Sequence, residues 1–215
     1  AFKETESNFT PFNAGTYVGK KEVLSLGVGF EHMKDALWHL DGEDQIKKDA
    51  MTNLAVDLFY DVPLSKDRGT SFSAYAMAMH SDYGANYLHM GPTNNPANGL
   101  DASQTSLNGS GNGMPLAGTG TTLYAQVGGT LPYFNKEKST LQLQPAVAVQ
   151  YSQYDALHDK AVIYDASVSL LFRGMSSRLS LNAQNRPIFD VNAANQAVQS
   201  DRKWSFVLKY RIDIL

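Results

Sequence analysis

The chain has 215 residues, a formal net charge of −3 and no cysteine. The slightly acidic balance excludes the electrostatic footprint of a nucleic-acid binder, and the lack of thiols excludes a disulfide framework or a thiolate metal site. Mean hydropathy is −0.30 and no run reaches the roughly 18 apolar residues of a membrane helix, but a membrane strand puts only alternate side chains into lipid and leaves no such mark.

Alternation of apolar and polar residues with a period of two predicts eight strands. The first, Glu22 to His32, places Leu24, Leu26, Val28 and Phe30 on one face. Asn53 to Leu64 does the same with Leu54, Val56, Leu58, Tyr60, Val62 and Leu64. Thr70 to Tyr83 is strand-like, with small residues on both faces and Met77 and Met79 among alanines. Thr121 to Tyr133 alternates through Leu123, Ala125, Val127, Leu131 and Tyr133, with Gly128 and Gly129 allowing a bend. Thr140 to Ser152 alternates through Leu141, Leu143, Val147, Val149 and Tyr151. There Pro145 removes a ladder donor and predicts a bulge or a subunit contact. Ala161 to Arg173 and Ser177 to Gln184 follow, and the clearest strand closes the series. Lys203 to Leu215 sets Trp204, Phe206, Leu208, Tyr210, Ile212 and Ile214 against Lys203, Ser205, Val207, Lys209, Arg211 and Asp213. A helix through that stretch would scatter the apolar set around its circumference.

The connections are of two sorts. Ser65–Gly69, Asn135–Lys138 and Gly174–Ser176 are short and hydrophilic, whereas Met33–Ala50, Gly84–Gly120, Gln153–Lys160 and Pro187–Arg202 are long. Strict alternation of short and long is the mark of a membrane barrel, with short periplasmic turns and long extracellular loops. The expected fold is therefore an all-β, antiparallel transmembrane β-barrel forming one domain over 1–215. Residues 84–120 are the expected long extracellular loop, and the best candidate to fold inward. Aromatic residues near strand ends, such as Tyr133, Phe134, Tyr151, Tyr154, Phe172 and Trp204, suit an interfacial girdle.

Arg173, Arg178, Lys203, Lys209 and Arg211 are expected on the polar, inward faces of the last three strands, and Asp57, Asp61, Asp165 and Asp213 share that inner surface. Two readings stand side by side. The bases form a stripe in a wet lumen that lowers the barrier for anions, or they pair with the carboxylates. No catalytic or metal site is expected, and no cofactor. His32, His39, Asp35, Asp41, Glu43 and Asp44 lack the order of a Ca²⁺ loop. His80, His89, Asp82 and Ser81 lack a nucleophile elbow, and the Gly-rich stretch Asn108–Gly113 does not open a helix as a phosphate cradle must.

The stretch GTYVGKKEVLSLGVGFEH, Gly15–His32, resembles a turn and strand of Gram-negative outer-membrane porins related to the phosphate-selective porin family. The pieces LAVDLFYDVPL (Leu54–Leu64), TTLYAQVGGTLPYF (Thr121–Phe134) and LQLQPAVAVQYSQYD (Leu141–Asp155) are similar to the strands that follow in such proteins. The resemblance implies a barrel of about sixteen strands, of which this chain would be the C-terminal half. It departs from many outer-membrane barrels in ending on Ile214–Leu215 in place of an aromatic residue. Implied with it are the outer membrane of a Gram-negative bacterium, contact with lipid and lipopolysaccharide, small polar solutes as the cargo, and a homotrimer or other membrane complex.

The function expected is passive diffusion of small polar solutes, with a lean towards anions. The first rival is a narrow eight-stranded barrel acting as an anchor, adhesin or partner-binding protein without a pore. A lipocalin-like carrier would use the same alternation inverted, with its apolar face inside. An outer-membrane esterase or protease is the enzyme rival and ranks last.

Overall fold

The structure, a computed structural model, describes residues 3–4, 15–41, 43–91, 113–135 and 140–213. Among them are ten strands and no helix: β1 (Val23–Leu40), β2 (Ile46–Ser65), β3 (Thr70–Asp82), β4 (Leu88–Gly91), β5 (Met114–Gly118), β6 (Gly120–Thr130), β7 (Gln142–Tyr154), β8 (Ala161–Leu171), β9 (Ser177–Val191) and β10 (Ala197–Ile212). Eight of them form one antiparallel sheet in the order β1-β2-β3-β6-β7-β8-β9-β10, and β4 and β5 form a separate hairpin. Apart from that hairpin every strand pairs with its neighbour in sequence, as in a meander. The sheet is not closed: among the described residues β1 pairs only with β2 and β10 only with β9.

The strand ends Leu40, Ile46, Asp82, Gly120, Tyr154, Ala161, Val191 and Ala197 lie at one end of the sheet, the upper end, and Val23, Ser65, Thr70, Thr130, Gln142, Leu171, Ser177 and Ile212 at the lower end. Strict alternation of short and long connections does not hold. Two of the expected long loops are largely strand, since β1 and β2 run up to Leu40 and Ile46, and β9 and β10 to Val191 and Ala197. Both upper hairpins close with the same chemistry. Asp41 Oδ1 accepts the backbone N–H groups of Glu43 and Gln45, and Asn192 Oδ1 accepts those of Ala194 and Gln196. Three residues after each of these, Asp44 (φ 57°) and Asn195 (φ 59°) take the left-handed conformation, which Asn and Asp tolerate best after glycine. The sequences DGEDQ and NAANQ are thus two versions of one turn.

Other irregularities are local. The β1–β2 register slips between Met33 and Leu37, with Asp35 at φ 53°. The bulge expected at Pro145 is absent. Gly128 pairs with Ala146, and the N–H of Leu131 reaches the carbonyl of Leu143, so the register carries through opposite the proline. The Gly-rich stretch Asn108–Gly113, the expected turn at Asn135–Lys138 and the alternation at Ile214 lie wholly or partly outside the described residues.

Candidate functional site

Antiparallel register sorts the side chains into two faces. One row of partners runs Asp61, Ser73, Gly128, Ala146, Ser167, Asn182, Val207 across seven strands. The adjacent row on the opposite face runs Tyr60, Ala74, Val127, Val147, Ala166, Ala183, Phe206. The first face is polar and concave. Six of its residues in that row open into a groove of about 710 Å³ that spans β3 to β10. Its hydroxyls pair across strands, Ser71 with Thr130 at 2.8 Å, Thr122 with Ser152 at 3.0 Å and Ser169 with Ser180 at 2.7 Å. Such cross-strand pairs hold register and satisfy groups that water reaches poorly.

The other face is apolar and open. Val28 is 75 % exposed, Phe206 and Leu208 each 69 %, and Leu58, Val147 and Leu181 are also exposed. This inverts the usual arrangement, since buried Ser71, Ser73, Thr122, Gln142 and Ser152 sit on the concave side while large aliphatic and aromatic residues point out. A continuous apolar face of this extent marks a surface meant for another apolar phase or partner. Its rings are spread along the strands, Phe30 and Phe206 among them. Tyr151, Tyr164 and Trp204 lie higher and Tyr60, Phe72 and Tyr210 lower, and on β10 only Phe206 and Leu208 point outward between Trp204 and Tyr210. Arg202 stacks its guanidinium over Tyr164 at 5.2 Å on this side.

The charged residues expected on the polar face divide between its two edges. On β9 and β10, Arg178, Lys209 and Arg211 line the groove. Arg178 and Arg211 are direct cross-strand partners, a like-charge placement that is unfavourable unless a counter-charge is near. Asp213 takes the Arg211 Nε at 2.8 Å. Arg178 donates from Nη1 only to the Met175 sulfur at 3.4 Å, and its buried Nε has no partner among the described residues. Lys203 has the same strand parity, opposite Arg186. Arg173 lies outside the strands in the 172–176 turn, where its carbonyl accepts from the N–H of Ser176.

The carboxylates fall elsewhere. Asp57 and Asp61 are on β2, near the opposite edge. Asp61 is 0 % exposed and its Oδ2 accepts from Ser73 Oγ at 2.5 Å and from the N–H of Tyr17 at 3.3 Å. Asp165 on β8 accepts from Gln184 Nε2 at 3.1 Å. Of the pairings that would neutralise the basic stripe, the structure brings together Arg211 and Asp213.

The other candidate clusters disperse. His32 meets Thr52 and His39 meets Asp49. His80 bonds Thr121, while Ser81 points to the opposite face of β3. Among the described residues no three His, Asp or Glu side chains converge as a metal site would require.

Two features of the groove lie beyond the residues expected from sequence. Arg186, 2 % exposed, donates from Nη1 to the carbonyl of Gly113 at 2.7 Å and so ties the returning end of 84–120 to the inner wall. Its parity with Arg178 along β9 was the available signal. The hairpin β4–β5 is anchored beside it, with Leu88 and Met90 in an upper cluster with Tyr154, Leu157, Phe189 and Ala197. The described parts of 84–120 therefore pack against the sheet end. A scan against protein-family models finds no match, and the comparisons with curated proteins and with solved structures find none either.

Proposed function

We propose that the chain forms part of a β-barrel channel in the outer membrane of a Gram-negative bacterium, through which small polar solutes, anions favoured, diffuse passively. The observation that carries this is the inversion of the two faces: an exposed apolar convex wall and a hydroxyl- and carboxamide-lined concave one. Lipid requires the first and a wet lumen the second. The resemblance to porins related to the phosphate-selective family belongs to the same proposal, as do contact with lipopolysaccharide and assembly as a trimer.

In hydrocarbon an unpaired strand edge leaves backbone N–H and C=O groups without partners, so a spanning sheet must close. β1 and β10 run in opposite directions and each has a free edge, so an even number of further antiparallel strands completes the wall. The narrow eight-stranded barrel without a pore would need β1 and β10 to pair with each other. Their separation in the structure favours the wider barrel. No covalent chemistry is required of any residue in the groove.

Planar-bilayer recording of the native protein tests this. Stepwise conductance with a reversal potential on the anion side is expected. Membrane insertion without conductance would instead support the anchor or partner-binding reading, and absence of insertion would refute both.

A further inference from the structure

The groove on the concave face has an uneven lining. Among the described residues its charged side chains are Arg178, Lys209 and Arg211, and no carboxylate or aromatic ring is among its lining residues. Arg211 is engaged by Asp213, whereas Arg178 and Lys209 have no carboxylate within ion-pair distance among the described residues. Arg178 is held with its Nε inside the wall, unbonded, and Arg211 directly across the β9–β10 pair. A guanidinium placed so, beside a second cation, is arranged for a planar or tetrahedral oxyanion that can take two parallel N–H bonds.

The rest of the lining calls for more than a bare ion. Gln126, Gln144, Ser167 and Asn182 each offer both a donor and an acceptor. The space, about 710 Å³, lies within the range of roughly 300–1,000 Å³ that small-molecule sites occupy. An inorganic anion would satisfy the cations and leave that wall facing water. Among the described lining residues an aromatic acid finds no ring to stack on, and Tyr124 reaches the wall through its hydroxyl, on Gln126 Oε1 at 2.7 Å. A chain of hydroxyls can bond the wall along its length.

Resting on the channel reading above, we propose that this groove is a binding station for small hydroxylated anions of the sugar-acid class. The acid group sits between Arg178 and Lys209, and the hydroxyls lie on the carboxamide and serine wall from Gln126 to Asn182. Asp57 and Asp61 stand away on β2, and Asp165 on β8, engaged by Gln184, lies six residues along the strand from Leu171, the partner of Arg178, so none of the three faces the acid group.

Calorimetric titration of the detergent-solubilised native protein tests the station separately from transport. Glucuronate is the probe, with glucose, benzoate and inorganic phosphate as comparators. Glucuronate should bind at least about ten-fold tighter than each comparator, given the worth of a charge-assisted hydrogen bond. Lys209→Gln, at an exposed position where folding is not at stake, should weaken it by about ten-fold or more. Arg178→Lys keeps the charge and loses the fork, and should weaken glucuronate more than phosphate. Equal binding of glucose, of benzoate or of phosphate would overturn the assignment, as would an unchanged Lys209→Gln protein. Binding without conductance would refute the channel and keep the station; conductance without binding would do the reverse.

Discussion

Neighbouring residues on β10 face opposite phases if the convex wall lies in lipid, so the same substitution should have opposite consequences at Val207 and Leu208. Leu208 points outward and is 69 % exposed, while Val207 lines the groove. Leu208 lies between the outward rings of Trp204 and Tyr210 on the same strand. An arginine on the lipid face of a membrane barrel costs about 2–4 kcal/mol near the midplane and about 0–1 kcal/mol near the interfaces. With Leu208 near the midplane, Leu208→Arg should shift the folding equilibrium in vesicles by about 30- to 700-fold, at 1.4 kcal/mol per decade. Val207→Arg adds a charge to a polar, water-facing wall and should shift it by less than about three-fold, apart from repulsion by Lys209 that salt would screen. Equilibrium unfolding in guanidinium, with the protein refolded into phospholipid vesicles, reads both. A surface in water tolerates arginine at a 69 % exposed leucine, so equal small effects would refute the lipid-facing assignment. A larger loss at Val207 than at Leu208 would mean that the faces are reversed, as in a carrier with its apolar face inside.

Three further outcomes follow from particular contacts. The Asp41 carboxyl is held below its usual range, chiefly by the backbone N–H of Gln45, then by that of Glu43, with Lys47 adding to them. A depressed carboxylate stabilises its turn above the ordinary Asp pKa of about 3.9 and loses that effect as pH falls through its folded value. Amide exchange at Glu43 and Gln45 should therefore rise at acid pH, while Ala194 and Gln196, capped by the neutral Asn192, stay protected; parallel loss in both turns would show that the cap is not responsible. Ser73→Ala removes a donor from fully buried Asp61 and should cost about 1–3 kcal/mol in denaturant unfolding, with a loss below about 0.5 kcal/mol contradicting the role given to that bond. Gly69→Ala, at φ +71° and with the Tyr133 ring where the new Cβ would sit, should cost at least about 1 kcal/mol; an unchanged denaturation midpoint would show that the turn relaxes freely.

What was legible in the sequence, and what was not, follows from where each segment sits. The lower parts of the strands show clean alternation because one face is apolar throughout, as in Lys203 to Ile212 and Leu54 to Leu64. The upper parts of β1, β2, β9 and β10 carry polar residues on both faces, as in Lys34–Asp35 and Lys47–Lys48–Asp49, so the period vanishes though the strands continue. Their turns were still readable in principle, through the Asx residue at the first position and the left-handed Asp or Asn three residues on. β4 and β5 are too short for any period. Strand parity places Arg178, Lys209 and Arg211 on one face, and all three line the groove. It could not say which charges meet, because that depends on register between strands: Arg178 falls opposite Arg211, and Asp57 and Asp61 fall near the far edge.

The most direct test is the accessibility of single labels along β10. A polarity-sensitive fluorophore is attached in turn at Ser205, Phe206, Val207 and Leu208 of the protein reconstituted in vesicles, then challenged with a lipid-borne and a water-soluble quencher. Labels at Phe206 and Leu208 should be quenched from the lipid, and those at Ser205 and Val207 from the water, alternating residue by residue. Quenching from water at all four positions, or alternation with the opposite phase, would contradict a lipid-facing convex wall.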